Sequence, residues 1–401
     1  MLLKEVPRGI KHFLKPFRKV LTKAQYGHFQ TLVAGLIVND KKTVQEICEA
    51  LSEKDQSSMN KSIAKTSWES TNDIRLKLVK KYRKTGKEGL IIIDDELAHK
   101  TGKHMEKAGH HRSGVTKRIE WGHCVVDSYY VDSLNDFGFP IKADIYVNKK
   151  TSLPAEYRPK IQLALEQAEW GMSKTGAETT IMDSAYYADY VVNWFKQKHK
   201  HYVLGIHSNL KISMNRGERV SVDDYAAALS CEDFTPVEKD GGFYLIHSKL
   251  VSIRGVGIQR LLISYKQDNW EMKFYVTDLL NKSEEELMFI LLKRWSIECF
   301  HRDVKQHLGM EDYQKRKYRG IRNVVLAVLA AYTVLTLSKN LATMRRIEDV
   351  LGRGLSTIGE LCRFMRLAAQ KGWRWITKAL KKTEMFITIM NNEVLVKNAK
   401  V

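Results

Sequence analysis

Four consecutive aliphatic residues, Leu90-Ile91-Ile92-Ile93, run straight into two acids, Asp94-Asp95. A segment this short and this apolar offers no polar face to water, so it reads as a central strand covered on both sides. A sheet covered on both faces needs helices over it, which makes α/β the expected class. A second run, Thr179-Thr180-Ile181-Met182, ends in Asp183. Trp121 to Val131 and Phe139 to Val147 are further β-like runs, and Tyr202 to Ile206 is another strand. Helices are predicted over Pro154 to Gly171 and Tyr186 to His199.

The flanks differ in texture. Residues 1–88 read as helical, with apolar positions at helical spacing through Phe29, Leu32, Val33 and Leu36, then Val44, Ile47 and Leu51. The polar stretch Ser52 to Lys61 reads as a turn, and both a helix-turn-helix and a plain helical bundle fit the unit. Between 208 and 282 the helical signal fades. Phe243 to Ile246, Leu261 to Tyr265 and Lys273 to Val276 look like strands of a β-rich insertion. Ser283 with Glu286 forms a capping-box pattern that opens a helix, and Gly309 is a suitable stop beyond Leu308. The chain thus divides at 1–88, 89–207, 208–282, 283–340 and 341–401.

Charge narrows the partner. Sixty-six Lys and Arg against 46 Asp and Glu leave a formal net charge of +20, which points to a polyanion. Between Gln314 and Val401, 18 basic residues face five acidic ones, so the basic tail is expected to meet phosphates. The membrane alternative is weak. Val324 to Leu337 falls short of the roughly 20 residues that span a bilayer and reads as a buried helix. No strongly amphipathic anchor is apparent, and the opening residues lack a signal-peptide core, so a cytoplasmic location is expected. The five cysteines (Cys48, Cys124, Cys231, Cys299 and Cys362) form no CxxC pair, which speaks against a zinc ribbon or a disulfide framework.

Three acids stand out by position: Asp95 and Asp183 after apolar strands, and Glu298 within a predicted helix. Each has a bland reading, the aspartates as turn formers or caps and the glutamate as a surface ion pair. Brought together, three carboxylates would repel unless cations neutralised them. Hard oxygen ligands suit Mg²⁺ or Mn²⁺. Two such ions about 4 Å apart can activate water and stabilise the leaving oxygen of a phosphodiester. Arg294, Glu298, Arg302 and Lys305 follow at steps of four, four and three, which places them on one helical face. Trp295 and Phe300 flank that row and are expected in the core.

The set of motifs resembles a known family. Leu291-xx-Arg294-xxx-Glu298-xxxxxx-Lys305 resembles the Y-R-E-K signature of bacterial and archaeal DDE insertion-sequence transposases, with Leu291 where the signature has Tyr. Gln306 to Met310 and Tyr313-Gln314-Lys315-Arg316 are similar to the segments that follow it. Ile91 to Asp95 and Ile181 to Tyr186 resemble the segments that carry the family's first and second Asp, and Glu96 stands where Thr or Ser is common.

The resemblance implies a ribonuclease-H-like catalytic core split between 89–207 and 283–340, interrupted by the β-rich insertion. A helical DNA-end-binding domain would precede it and a basic helical tail would follow. It implies Asp95, Asp183 and Glu298 as catalytic acids and ligands of two Mg²⁺ or Mn²⁺ ions. Successive strand residues face opposite ways, so only one of Asp94 and Asp95 can reach the ions; the resemblance selects Asp95. Arg294, Arg302, Lys305, Lys315 and Arg316 would contact DNA. Terminal inverted repeats and target DNA are the implied partners, bound by a homodimer in a synaptic complex in a prokaryotic, nucleoid-associated setting. A catalytically inactive, domesticated DNA-binding relative and a branched-DNA resolvase are the rival readings.

His99, His104, His110, His111 and His123 match no zinc spacing and are expected to meet phosphate or solvent. Trp373 and Trp375 sit in a basic stretch and are expected to pack an amphipathic helix against the core, with stacking on DNA as the alternative.

Overall fold

The computed structural model describes residues 6–51, 55–114, 116–132, 137–149, 157–214, 218–239, 241–266 and 271–395. Among the described residues, five α-helices come first: α1 (Arg8–Leu14), α2 (Lys23–Val38), α3 (Val44–Leu51), α4 (Gln56–Lys65) and α5 (Ser70–Tyr82). A Thr22–Gln25 capping box starts α2. The polar stretch expected to be a turn is mostly α4, whose first turn is capped by the Asp55 side chain accepting from the Ser58 N–H. Only Met59 and Ile63 bury an apolar face there, too sparse a pattern to announce a helix. Residues 52–54 of that stretch lie outside the described residues.

The sheet begins with β1 (Leu90–His99), β2 (Gly109–Arg112), β3 (Ile119–Val131) and β4 (Gly138–Tyr146). After α6 (Lys160–Thr175) come β5 (Thr179–Met182), α7 (Asp189–Gln197) and β6 (His201–Gly205). β1 pairs antiparallel with β3 on one side and parallel with the much shorter β5 on the other, and β5 pairs parallel with β6. The long β3 pairs β2 near its start and β4 over the rest. The spatial order β4-β3-β1-β5-β6 therefore has three antiparallel strands followed by two parallel ones.

The predicted β-rich segment extends this same sheet. After the two-residue pair β7 (Lys211–Ile212) and β8 (Val220–Ser221) and the helix α8 (Val222–Ala227) come β9 (Thr235–Lys239), β10 (Gly242–Ile253), β11 (Gly257–Lys266) and β12 (Met272–Thr277). β12 pairs with β6, and β11, β10 and β9 follow outward, giving ten strands in one mixed sheet.

The last part is helical: α9 (Glu284–Lys293), α10 (Trp295–Leu308), α11 (Tyr318–Ser338), α12 (Ala342–Leu351), α13 (Ile358–Lys371), α14 (Trp373–Ala379) and α15 (Thr383–Ile389). The predicted Ser283–Glu286 capping box forms, and Gly309 ends α10 at φ 71°. The single predicted helix is two, joined at Arg294, where the ladder tightens to three-residue bonds: the Arg294 N–H donates to Leu291 O at 3.1 Å and the Ile297 N–H to Arg294 O at 3.2 Å.

α6 covers one face of β1, β3 and β4, and α10 covers β1 and β3 from the other. α11 is long and apolar enough to cross a membrane, but 94% of its most apolar stretch is buried inside the protein. It packs against α2, α4, α5 and α13. Its Asn323 joins the N-terminal helices to α11, accepting from the Trp68 N–H at 3.1 Å and donating to Ile63 O and Thr66 O at 2.8 and 2.7 Å. Trp373 meets Phe364 edge-on at 6.0 Å and packs with Trp375 against the core, in line with the packing expectation.

Candidate active site

β1 does not end at its acids. Asp94 and Asp95 sit in its middle, because β3 pairs with it along the full ten residues while β5 stops at Met182. Ile93 pairs with Met182, so the next residues, Asp94 and Asp183, stand side by side where the two parallel strands part. In-register neighbours on parallel strands project to the same face. Asp183 stays extended (φ −72°, ψ 168°) and caps the 3-10 turn Ser184–Tyr186, accepting from the Ser184 N–H at 2.6 Å.

α10 supplies the third acid to that face. Arg294 donates to Glu298 Oε1 at 2.5 Å and lies 3.6 Å from Asp94 Oδ2. Burial lifts the Asp94 carboxyl to about 6, opposed by His301 and Arg294 and assisted by the negative charges of Asp95 and Asp183. The Asp183 and Glu298 charges both act on the buried Tyr275 hydroxyl, whose pKa burial raises. Asp94, Asp183, Arg294 and Glu298 therefore share one electrostatic centre.

Asp95 points the other way. Its carboxylate accepts from Lys160 Nζ of α6 at 2.6 Å, from the Tyr186 hydroxyl at 2.8 Å and from the Cys124 thiol at 3.4 Å. Burial works to raise its pKa, but these donors hold it below the ordinary carboxylate value. The family resemblance groups Asp95 with Asp183 and Glu298. The structure turns Asp94 to that side, because alternate strand residues face opposite layers.

The helical row also changes by one member. The side of α10 that meets β1 carries Arg294, Glu298, His301 and Lys305, while Arg302 is exposed and lies 3.7 Å from Asp303. Lys305 donates to Leu97 O at 2.9 Å and sits 3.3 Å from Glu96. Lys315 donates to Asn60 on α4, and burial lowers its pKa. Arg316 is exposed and lines a basic groove with Lys41, Lys103 and His104. Of the five expected DNA contacts, Arg302 and Arg316 thus face solvent, Arg294 sits among the acids, and Lys305 and Lys315 have protein partners. Trp295, expected in the core, is 59% exposed. It lines a cleft beside Glu298 with Tyr244, Tyr265 and Lys273, whereas Phe300 is buried as expected.

The histidine cluster divides. His104 and His110 are exposed, but His111 and His123 are buried, the latter bonded to Glu106 O at 3.0 Å and to the Tyr313 hydroxyl at 2.9 Å. Desolvation pushes both down to about 4, which keeps them neutral. The residues that pattern-reading missed are Glu96, Asp127, Lys160, Tyr186 and His301. Of these only His301, one turn after Glu298, lay within reach of helical spacing.

Three carboxylates facing Arg294 form an all-oxygen donor set with excess negative charge, which suits a hard divalent cation. Residues 161–334 match the family model described as the transposase DDE domain. This match supports the resemblance to DDE insertion-sequence transposases. The family is one of nucleic-acid-processing enzymes, with DNA as partner and divalent metal ions as cofactors. The match includes Asp183, Arg294, Glu298 and Lys305 and begins after β1. Among solved structures, the NurA nuclease from Sulfolobus solfataricus is similar at 11% identity and a TM-score of 0.26, over 53% of this chain and 74% of that one. No curated protein matches.

Proposed function

We propose that this protein is an active transposase that cuts the ends of an insertion element and joins them to target DNA, with Asp94, Asp183 and Glu298 as its catalytic carboxylates. The observation that carries this reading is the side-by-side placement of Asp94 and Asp183 at the parting of β1 and β5, with Glu298 held near them through Arg294. The strand order β4-β3-β1-β5-β6 supports a ribonuclease-H-like core. Asp94, Asp183 and Glu298 would hold Mg²⁺ or Mn²⁺, which when bound supplies Lewis-acid activation of water and charge neutralisation at the leaving oxygen.

The chain's own residues do the rest. Asp94 carries its charge only above about pH 6. Arg294 fixes the Glu298 carboxylate and offers its guanidinium to the backbone phosphate next to the scissile bond. Trp295 and Lys273 face the cleft through which a DNA strand would reach the acids. Cleavage exposes a 3′-hydroxyl, and the same residues direct it at target DNA. Two element ends must be handled together, so a homodimer on DNA is part of the proposal, in a prokaryotic host.

The test is strand cleavage and joining on labelled linear DNA that carries the element's end, in Mg²⁺ or Mn²⁺. Asp94→Asn and Glu298→Gln should bind DNA but cleave at least roughly a hundredfold more slowly, while Asp95→Asn should still cleave. A folded but inactive Asp95→Asn beside an active Asp94→Asn would overturn the assignment. Binding without cleavage by the wild type in either metal would favour a DNA-binding protein.

A further inference from the structure

Next to the acid centre lies a second set of ligand-bearing groups that the proposed reaction does not use. β1 and α10 touch once through Asp94 and Arg294–Glu298, and again one step further along each element. Two residues on from Asp94 is Glu96; three residues on from Glu298 is His301. Asp127, the β3 partner of Asp94 in register, closes the group. Ligand atoms of Glu96, Asp127 and His301 all lie within 4.8 Å of one another.

The group is buried, with Glu96 6% and Asp127 1% exposed. Its polar atoms are poorly met: both carboxylate oxygens of Glu96, both of Asp127 and His301 Nε2 lack a hydrogen bond. His301 Nε2 stands 3.2 Å from Asp127 Oδ2, and Lys305 Nζ 3.3 Å from Glu96 Oε2, at ion-pair range without hydrogen-bonding geometry. Glu96 Oε1 and Asp127 Oδ1 have neither. Buried carboxylate oxygens without donors are costly, and the space between three converging ligands is where a cation would remove that cost.

We propose that Glu96, Asp127 and His301 form a second divalent-cation site that clamps α10 onto the sheet. Two carboxylates and one imidazole are a mixed oxygen–nitrogen set, which selects Zn²⁺ or Mn²⁺ over Mg²⁺. Three protein ligands leave room for water in the remaining position. The site tethers the helix that carries Glu298 one turn from Glu298 itself, so its cation is a positioning element. Lys305, held by Leu97 O at 2.9 Å, sits at the rim beside Glu96 Oε2.

The experiment uses the full-length protein, loaded with Zn²⁺, passed into metal-free buffer and assayed for retained metal and for melting temperature. Wild type and Asp183→Asn should each retain about one equivalent and melt higher than the chelator-treated protein. His301→Gln and Asp127→Asn, both close to isosteric, should retain at least tenfold less and show no such rise. Retention by His301→Gln and Asp127→Asn equal to wild type would overturn the site, as would a wild type that holds no Zn²⁺ or Mn²⁺. Loss in Asp183→Asn alone would assign the metal to the catalytic acids and overturn it too. Because Asp183→Asn disables only the proposed catalytic centre, failure of the clamp and failure of the transposase reading give different results.

Discussion

Burial raises the Asp94 carboxyl from 3.8 to about 6. The charged form is the ligand, so at subsaturating Mn²⁺ cleavage should fall as pH drops through about 6, and a pH–rate profile measured against Asp95→Asn checks this. Metal binding competes with the proton, so the observed midpoint should move lower as Mn²⁺ is raised. For the metal-free protein the linkage runs the other way. An acid with a raised folded pKa stabilises fully below its unfolded value and loses that contribution as pH rises through the folded one. Asp94 should therefore cost the metal-free fold up to about 3 kcal/mol between roughly pH 4 and 7. Asp94→Asn should remove that slope in denaturant melts across the window; an unchanged slope would show that Asp94 is not desolvated as described. Asp95 shows how little residue identity says about this. It neighbours Asp94 in the chain, yet Lys160, Tyr186 and Cys124 make it an interior ion pair.

At the scale of elements, the turn bearing Asp183 rests on β6. A Cβ added at Gly205 would lie 2.6 Å from Ser184 N and 3.1 Å from the Asp183 carbonyl carbon. Backbone cannot yield as a side-chain tip can, so Gly205→Ala should push Asp183 away from Asp94. The expected result is at least roughly a tenfold loss of cleavage with a folded circular dichroism spectrum; normal activity would mean that the turn tolerates displacement. Ser283→Ala removes the capping box of α9 and should cost about 1 kcal/mol in a denaturant melt, with activity retained because the cap lies away from the acids. Caps of this kind were legible in advance. The Ser283 start and Gly309 stop appear where the pattern puts them, but the break at Arg294 does not show in composition, and α4 has too few apolar residues to be seen.

For the molecule as a whole, the basic surface should dominate DNA affinity. Lys103 and Arg316 are exposed on the groove near Lys41. The pair Lys103→Glu and Arg316→Glu should weaken binding and lower the slope of log affinity against log salt by roughly two. An unchanged slope would place the DNA elsewhere. Removing residues 1–88 is a poor test of end recognition. Arg75 of α5 is fully buried and donates to Pro140 O and Ile141 O of β4 and to the Thr333 hydroxyl, and Asn323 ties α4 and the α4–α5 turn to α11. Deletion would open the core, so exposed substitutions on α3 and α4 are the better probe of specificity.

The mixed α/β class is legible in the chain alone, since apolar runs too short for helices must be buried strands. So are the helix caps, the basic character of the surface and the motif that places Glu298 on a helix with Arg294. These are local properties, set by neighbours within a turn or by period. Tertiary structure alone decided that β5 stops at Met182 beside a β1 that continues, which puts Asp94 next to Asp183 and turns Asp95 toward α6. It alone joined Glu96, Asp127 and His301, which lie on three separate elements. Facing and pairing depend on register between distant segments, and register is the outcome of packing helices on both sides of the sheet at once.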